Sequence, residues 1–219
     1  MLMTKDTPDN SKERRISEQR KKERMKEKRM RRINLRLALA LIILLLIVFA
    51  RLIFDAAFSD SKKTNDLVTE EVTAYTSTIK KYARKYNISS YVPVIKAIMM
   101  QESAGRGTDP MQCSECPFNT DYPNTPNAIQ DPEYSVEVGI KYFAHCLEEA
   151  ECTGPKDMER LKLSLQGYNY GNGYITWAVE NYGGYSEANA LIFSQEQAAY
   201  FGWNAYGDPE YVAHVLRYY

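Results

Sequence analysis

The sequence predicts a mainly α-helical domain carried behind a single transmembrane helix. Three observations lead there. A run of 14 uncharged residues, Leu37 to Ala50, lies near the N-terminus. Beyond about Glu70, apolar residues recur at helical spacing. No stretch alternates with the period of a strand for more than a few residues, so a small hairpin is the most β structure expected.

The charges divide the chain. Overall, 28 basic residues balance 28 acidic ones, but residues 1–36 carry 14 Lys or Arg against 6 Asp or Glu. The remainder therefore carries 14 against 22. Residues 1–32 read as a basic tail and 33–58 as the anchor. The 14-residue run is short of the roughly 20 residues a spanning helix needs. Widening it to Ile33–Phe58 supplies the length, with Arg36 and Arg51 reaching towards the headgroups along their aliphatic stems. The alternative, a cleaved signal peptide, fits less well. Its basic region is normally far shorter, and Ala56-Ala57-Phe58-Ser59 is a poor cleavage site. Lys and Arg bias places the tail in the cytoplasm and the acidic body outside the cell membrane. The tail has no aromatic residue among its charges on which bases would stack, so attraction to anionic lipid is expected rather than nucleic-acid binding.

Residues 59–69 form a polar linker, and 70–219 have the length of one ordinary domain. Helices are predicted over 70–86, from Pro93 to Ser103, and from Asp131-Pro132 through Val136, Ile140, Phe143 and Leu147. Others are predicted over 156–169, 174–182, 194–201 and 208–218. Between Gly105 and Gln130 lies an aperiodic stretch with four prolines, a length more typical of functional loops than of connectors.

The first chemical signal is Ile98-Met99-Met100-Gln101-Glu102-Ser103. Val94, Ile98 and Glu102 are spaced by four and share one helix face. An acid at the end of an apolar face is desolvated, which favours its protonated form. Glycoside cleavage needs such a group to protonate the departing oxygen. Spacing alone is weak, because a Glu in the last turn of a helix is usually a solvated surface residue. Two further segments sharpen it. Gly105 to Gln112 is a glycine-rich turn that brings the chain back towards the acid. Gln166-Gly167-Tyr168-Asn169-Tyr170-Gly171-Asn172-Gly173-Tyr174 runs from a helix end into a loop dense in aromatics and amides, which is either a sugar-contacting surface or a packed core.

At this point the chain resembles a known family. M-Q-E-S at 100–103, D-P-M-Q at 109–112 and N-A-I-Q-D-P-E-Y-S at 127–135 are similar to the lysozyme-like domain of CwlT-type wall hydrolases. So are L-Q-G-Y-N-Y-G-N-G-Y-I at 165–175, G-G-Y-S at 183–186 and the closing Y-V-A-H-V-L-R-Y-Y. These hydrolases occur on mobile elements of Gram-positive bacteria and are related to goose-type lysozymes and soluble lytic transglycosylases. The resemblance implies a lysozyme-like fold and cleavage of the bond between N-acetylmuramic acid and N-acetylglucosamine in peptidoglycan. It makes Glu102 the catalytic acid of an E-S motif that includes Ser103. Met111 and Gln112 fall at the turn that lines the cleft. Tyr168 and Asn169 match the pair that faces the acid, with Tyr170 beside them as a further substrate contact. Pro110 stands where many relatives have Leu. The cysteine peptidase that follows this domain in two-domain relatives has no counterpart here, so peptide cleavage is not expected. Conjugation or secretion machinery is the partner that the resemblance implies.

Hydrolysis needs water delivered to the anomeric carbon, usually by a second carboxylate. Asp109, seven residues on, is the first candidate, with Glu115 and Asp121 behind it. Its alternative role is a local Asp-Pro turn. A lytic transglycosylase needs no second acid, because the sugar's own 6-hydroxyl attacks. Hydrolysis by a muramidase is favoured, and a non-catalytic wall-binding scaffold is the reading from a different class. Cys113, Cys116, Cys146 and Cys152 all fall in the expected exterior, which favours a disulfide over free thiols and over a zinc site. His145 and His214 are expected to be packed or surface residues. No cofactor and no metal is expected.

Overall fold

The computed structural model describes residues 67–219 continuously, with isolated positions at 25, 26, 30, 48, 49 and 51. Most of the expected anchor over 33–58, most of the tail and all but the last three residues of the linker lie outside the described residues. Among those described, no helix is long and apolar enough to cross a membrane.

The domain is all helix and loop: no strand occurs among the described residues. Its helices are α1 (Glu70–Ala74), α2 (Thr76–Lys85), α3 (Val92–Glu102), α4 (Pro132–Glu149), α5 (Met158–Tyr170), α6 (Gly173–Tyr182), α7 (Glu187–Phe201) and α8 (Tyr211–Leu216), with a 3-10 turn at Ser89–Tyr91. The single helix expected over 70–86 is two, broken at Tyr75. Thr69 caps α1 by accepting from the Val72 N–H at 3.3 Å, and its hydroxyl donates to the Ala104 carbonyl at 3.1 Å. The start of the domain is thereby tied to the residues just after the acid. α7 begins at Glu187, seven residues before the predicted start. Its signal is Ser186, whose capping box with Asn189 is written in the sequence. Pro93 and Pro132 both sit in the first turns of their helices, as their fixed φ favours.

α5 is the centre of the domain. It packs against α4, α6 and α8, while α3 packs against α2 and α8. Leu161, Leu163 and Leu165 are buried, and so are Gln166, Tyr168 and Tyr170. A helix apolar on most sides belongs inside rather than on the surface. Gly167 permits this closeness, since a Cβ there would lie 2.6 Å from Ile175. α3 and α5 share α8 as a neighbour, which brings the end of α3 near the close of α5.

Candidate active site

Glu102 ends α3, whose Ile95, Ile98 and Met99 in the preceding turns are fully buried. The residue keeps one edge open, being half-buried overall. Its carboxyl group is desolvated, and that pushes its pKa to about 7. Negative charge on Asp109 and Asp208 pushes in the same direction, while a hydrogen bond from Tyr211 pulls the other way. The Tyr211 hydroxyl donates to Glu102 Oε1, and its ring is fully buried at the head of α8. Burial holds that phenol well above its ordinary pKa, so it stays a neutral donor. Removing the donor predicts a simple shift. Tyr211→Phe should raise the Glu102 pKa further and move the alkaline limb of any Glu102-dependent activity to higher pH. A limb that stays in place or moves down would contradict the contact.

The loop behind the acid is organised by Asp109, which is 2% exposed. Its Oδ1 accepts from the Cys113 N–H at 3.0 Å and the Ser135 hydroxyl at 2.6 Å. Its Oδ2 accepts from the Ser114 N–H at 2.9 Å and the Ser114 hydroxyl at 2.6 Å. These four bonds occupy the carboxylate. Ser135 belongs to α4, so Asp109 clamps the 105–130 stretch to that helix. The Ser114 hydroxyl also accepts from Ile129 N–H at 3.0 Å, and Thr108 donates to the Ile129 carbonyl at 2.8 Å, which closes the far end of the loop. Gly105 is fixed on two counts: φ is 77°, and a Cβ would meet Val72 N at 2.8 Å. Glu115 and Asp121, the other candidate carboxylates, are exposed.

The remaining predicted residues divide. Ser103 turns inward to the loop, donating to the Pro110 carbonyl at 2.8 Å and accepting from Gly105 N–H at 3.0 Å. Met111 is fully buried, and its side chain fills the space beside Gly139 of α4. A Cβ at Gly139 would lie 2.6 Å from Met111 Cβ, an atom that no rotation can remove. Gly139→Ala is therefore expected to destabilise the domain by about 2 kcal/mol in urea unfolding; an unchanged midpoint would contradict this packing. Gln112 is exposed with φ at 49°, its amide donating to Asp109 O and Asn127 Oδ1 at 3.0 and 3.2 Å.

Tyr168 lies close enough to Glu102 to feel its charge, but its hydroxyl is committed to the Met111 carbonyl at 2.9 Å and touches Cys113 Sγ at 3.0 Å. Asn169 uses Oδ1 to accept from the Asp208 N–H at 2.7 Å. Gln166 donates to the Asp208 carbonyl at 2.9 Å, so α5 grips both sides of that residue's backbone. Tyr170 points into a separate aromatic core with Tyr174, Phe193 and Tyr206, and its hydroxyl donates to Ala190 O at 3.0 Å.

Sequence reasoning missed Tyr211 and Asp208 as individual residues. For the aromatic tail from Tyr211 to Tyr219 the sequence predicts folding back onto the core, with some rings able to border a glycan groove. The Asp-Pro signal that marks the start of α4 recurs at Asp208-Pro209, and there it marks the turn into α8. His214 Nδ1 bonds Asp208 Oδ2 at 2.6 Å, tying α8 to that turn, and His145 pairs with Glu149 at 3.1 Å. In place of the favoured disulfide, all four cysteines are free thiols. No group of three or more His, Cys, Asp or Glu residues is arranged to hold a metal among the described residues.

Fold and site together define an all-helical domain in which one helix ends in a desolvated carboxyl group of raised pKa. The chain belongs to the lysozyme-like family, whose model matches residues 69–218. It is 42% identical over 151 residues to the bifunctional muramidase/DL-endopeptidase CwlT of Bacillus subtilis, a match covering 69% of this chain and 42% of that one. It is 34% identical over 134 residues to the uncharacterised membrane protein YocA of the same organism, covering 61% and 56%. Among solved structures it is similar to a Staphylococcus aureus protein described as similar to a lipoprotein of the NLP/P60 family. That match has a TM-score of 0.58 and 32% identity, covering 69% of this chain and 53% of the other. The match thus spans about half the length of these relatives.

Proposed function

We propose that the domain cleaves the glycan strands of peptidoglycan, with Glu102 as the general acid. One observation carries the reading: a carboxyl group desolvated at the end of α3, with its pKa raised to about 7, keeps a substantial protonated fraction near neutral pH. Tyr211 occupies Oε1, which leaves Oε2 to carry that proton to the glycosidic oxygen as oxocarbenium-like charge develops on the sugar. The neutral phenol limits how far the pKa rises, so the acid can also release its proton.

Hydrolysis is the first form of this reaction, supported by the 42% identity to a protein named as a muramidase. Asp109 is given a positioning role in place of the water-directing one, because its four hydrogen bonds leave it nothing with which to orient water. The same saturation favours the second form, a lytic transglycosylase, which uses one acid and the substrate's own 6-hydroxyl. Mass spectrometry of fragments released from purified sacculi separates the two by one water. Release of neither reducing nor 1,6-anhydro ends would end the proposal. Anchoring through residues 33–58, with the domain outside the membrane, belongs to the same reading; identity to a protein named as a membrane protein supports it.

A further inference from the structure

The end of α7 and the loop after it leave large aromatic rings in water. Tyr200 is 81% exposed, Trp203 58% and Phe201 47%. Apolar surface of this extent is costly to leave solvated, and contiguous exposed patches usually mark a contact surface. The rings are also ordered. Phe201 and Trp203 stack with centroids 4.8 Å apart at 24°, and Tyr206 lies 6.0 Å from each, at 10° and 18°. The stack is held from beneath: the Tyr206 hydroxyl donates to the Tyr170 carbonyl at 2.8 Å, and Ser194 donates to the Tyr206 carbonyl at 2.7 Å. Gly202 makes the turn possible, ending α7 with φ at 67°.

Two facts say what would cover these rings. The first is continuity with the acid, since the same loop continues to Asp208, gripped by α5, and to Tyr211, bonded to Glu102. The second is charge. Between Lys162 and Arg217 the sequence contains no Lys or Arg, while Glu180, Glu187, Glu196, Asp208 and Glu210 are acidic. Such a segment has nothing to attract an anionic headgroup or a nucleic-acid phosphate. A neutral ligand with a flat apolar face fits instead. A pyranose ring presents one, its C–H bonds lying against an aromatic face while hydroxyl and acetamido groups stay hydrated. Asn204, exposed on the same loop, is a polar partner for those groups.

We propose that Tyr200, Phe201 and Trp203 form a stacking platform for an N-acetylhexosamine ring of the glycan strand, outside the position where Glu102 acts. The platform rests on the reading that the substrate is glycan, and its test is therefore separated from cleavage. Full-length protein carrying Glu102→Gln is sedimented with purified sacculi, with and without a second substitution. Adding Trp203→Ala should weaken binding about tenfold, and adding Tyr200→Ala about threefold, the range of one aromatic contact. Soluble N-acetylglucosamine oligomers should compete with the Glu102→Gln parent. Thermal melts of both variants check that the fold is intact. If both folded variants bind as tightly as the parent, the platform is wrong. Quenching of Trp203 by brominated lipid in vesicles would assign the rings to a membrane and overturn it too. If wild-type protein releases no fragments but the variants still bind more weakly, the enzyme fails and the platform stands.

Discussion

Glu102→Gln is expected to lower glycan release from sacculi by about 1,000-fold, the scale of losing a general acid, with the helical fold retained. The amide matches the acid in shape and can still accept from Tyr211, but it has no proton to give. The same substitution has a stability signature. A carboxyl group held at about 7 in the folded state and near 4.5 otherwise favours folding in its protonated form. That contribution is fully present below pH 4.5 and is lost as pH rises through 7. Glu102→Gln, which cannot ionise, should therefore lose less stability than wild type across this window. Thermal melts at pH 4.5 and pH 8 measure it. Equal pH dependence in the two proteins would mean that the carboxyl is solvated, and the proposed acid would lose its physical basis.

Asp109→Ala is expected to be the most damaging change to stability, by about 4 kcal/mol, since it strips the partners from buried donors. For a domain of this size that is roughly a 12 °C fall in melting temperature. The substitution also separates the two roles considered for the residue. A water-directing carboxylate would cost activity at every temperature. A clamp would cost activity mainly as the loop melts, so activity per folded molecule well below the transition should largely survive. Asp109→Asn is a useful companion, because its amide keeps one acceptor oxygen and should fall between the two. A fully stable but inactive Asp109→Ala would restore the residue to the reaction.

The helical class and most helix starts are legible because local rules set them. Pro93, Asp131-Pro132 and the 3.6-residue recurrence on α4 act within one or two turns of chain. The acid is legible for a similar reason, since Val94, Ile98 and Glu102 lie on one face of one helix. The misread elements also have identifiable causes. The predicted start at 194 misses the first turns of α7, whose signal is the Ser186 cap with Asn189. The break at Tyr75 has no proline or glycine to mark it.

What the sequence determined by itself was an apolar helix ending in an acid, a following loop dense in turn residues, and helices enough to enclose both. Tertiary structure alone decided the environment of each carboxylate. Asp109 and Glu102 stand seven residues apart, yet one is saturated by four donors while the other receives a single phenol from a residue 109 positions away. A side chain's pKa depends on which dipoles and how much water surround it. Those neighbours come from α4, α5 and α8, which meet the acid only when the chain has folded.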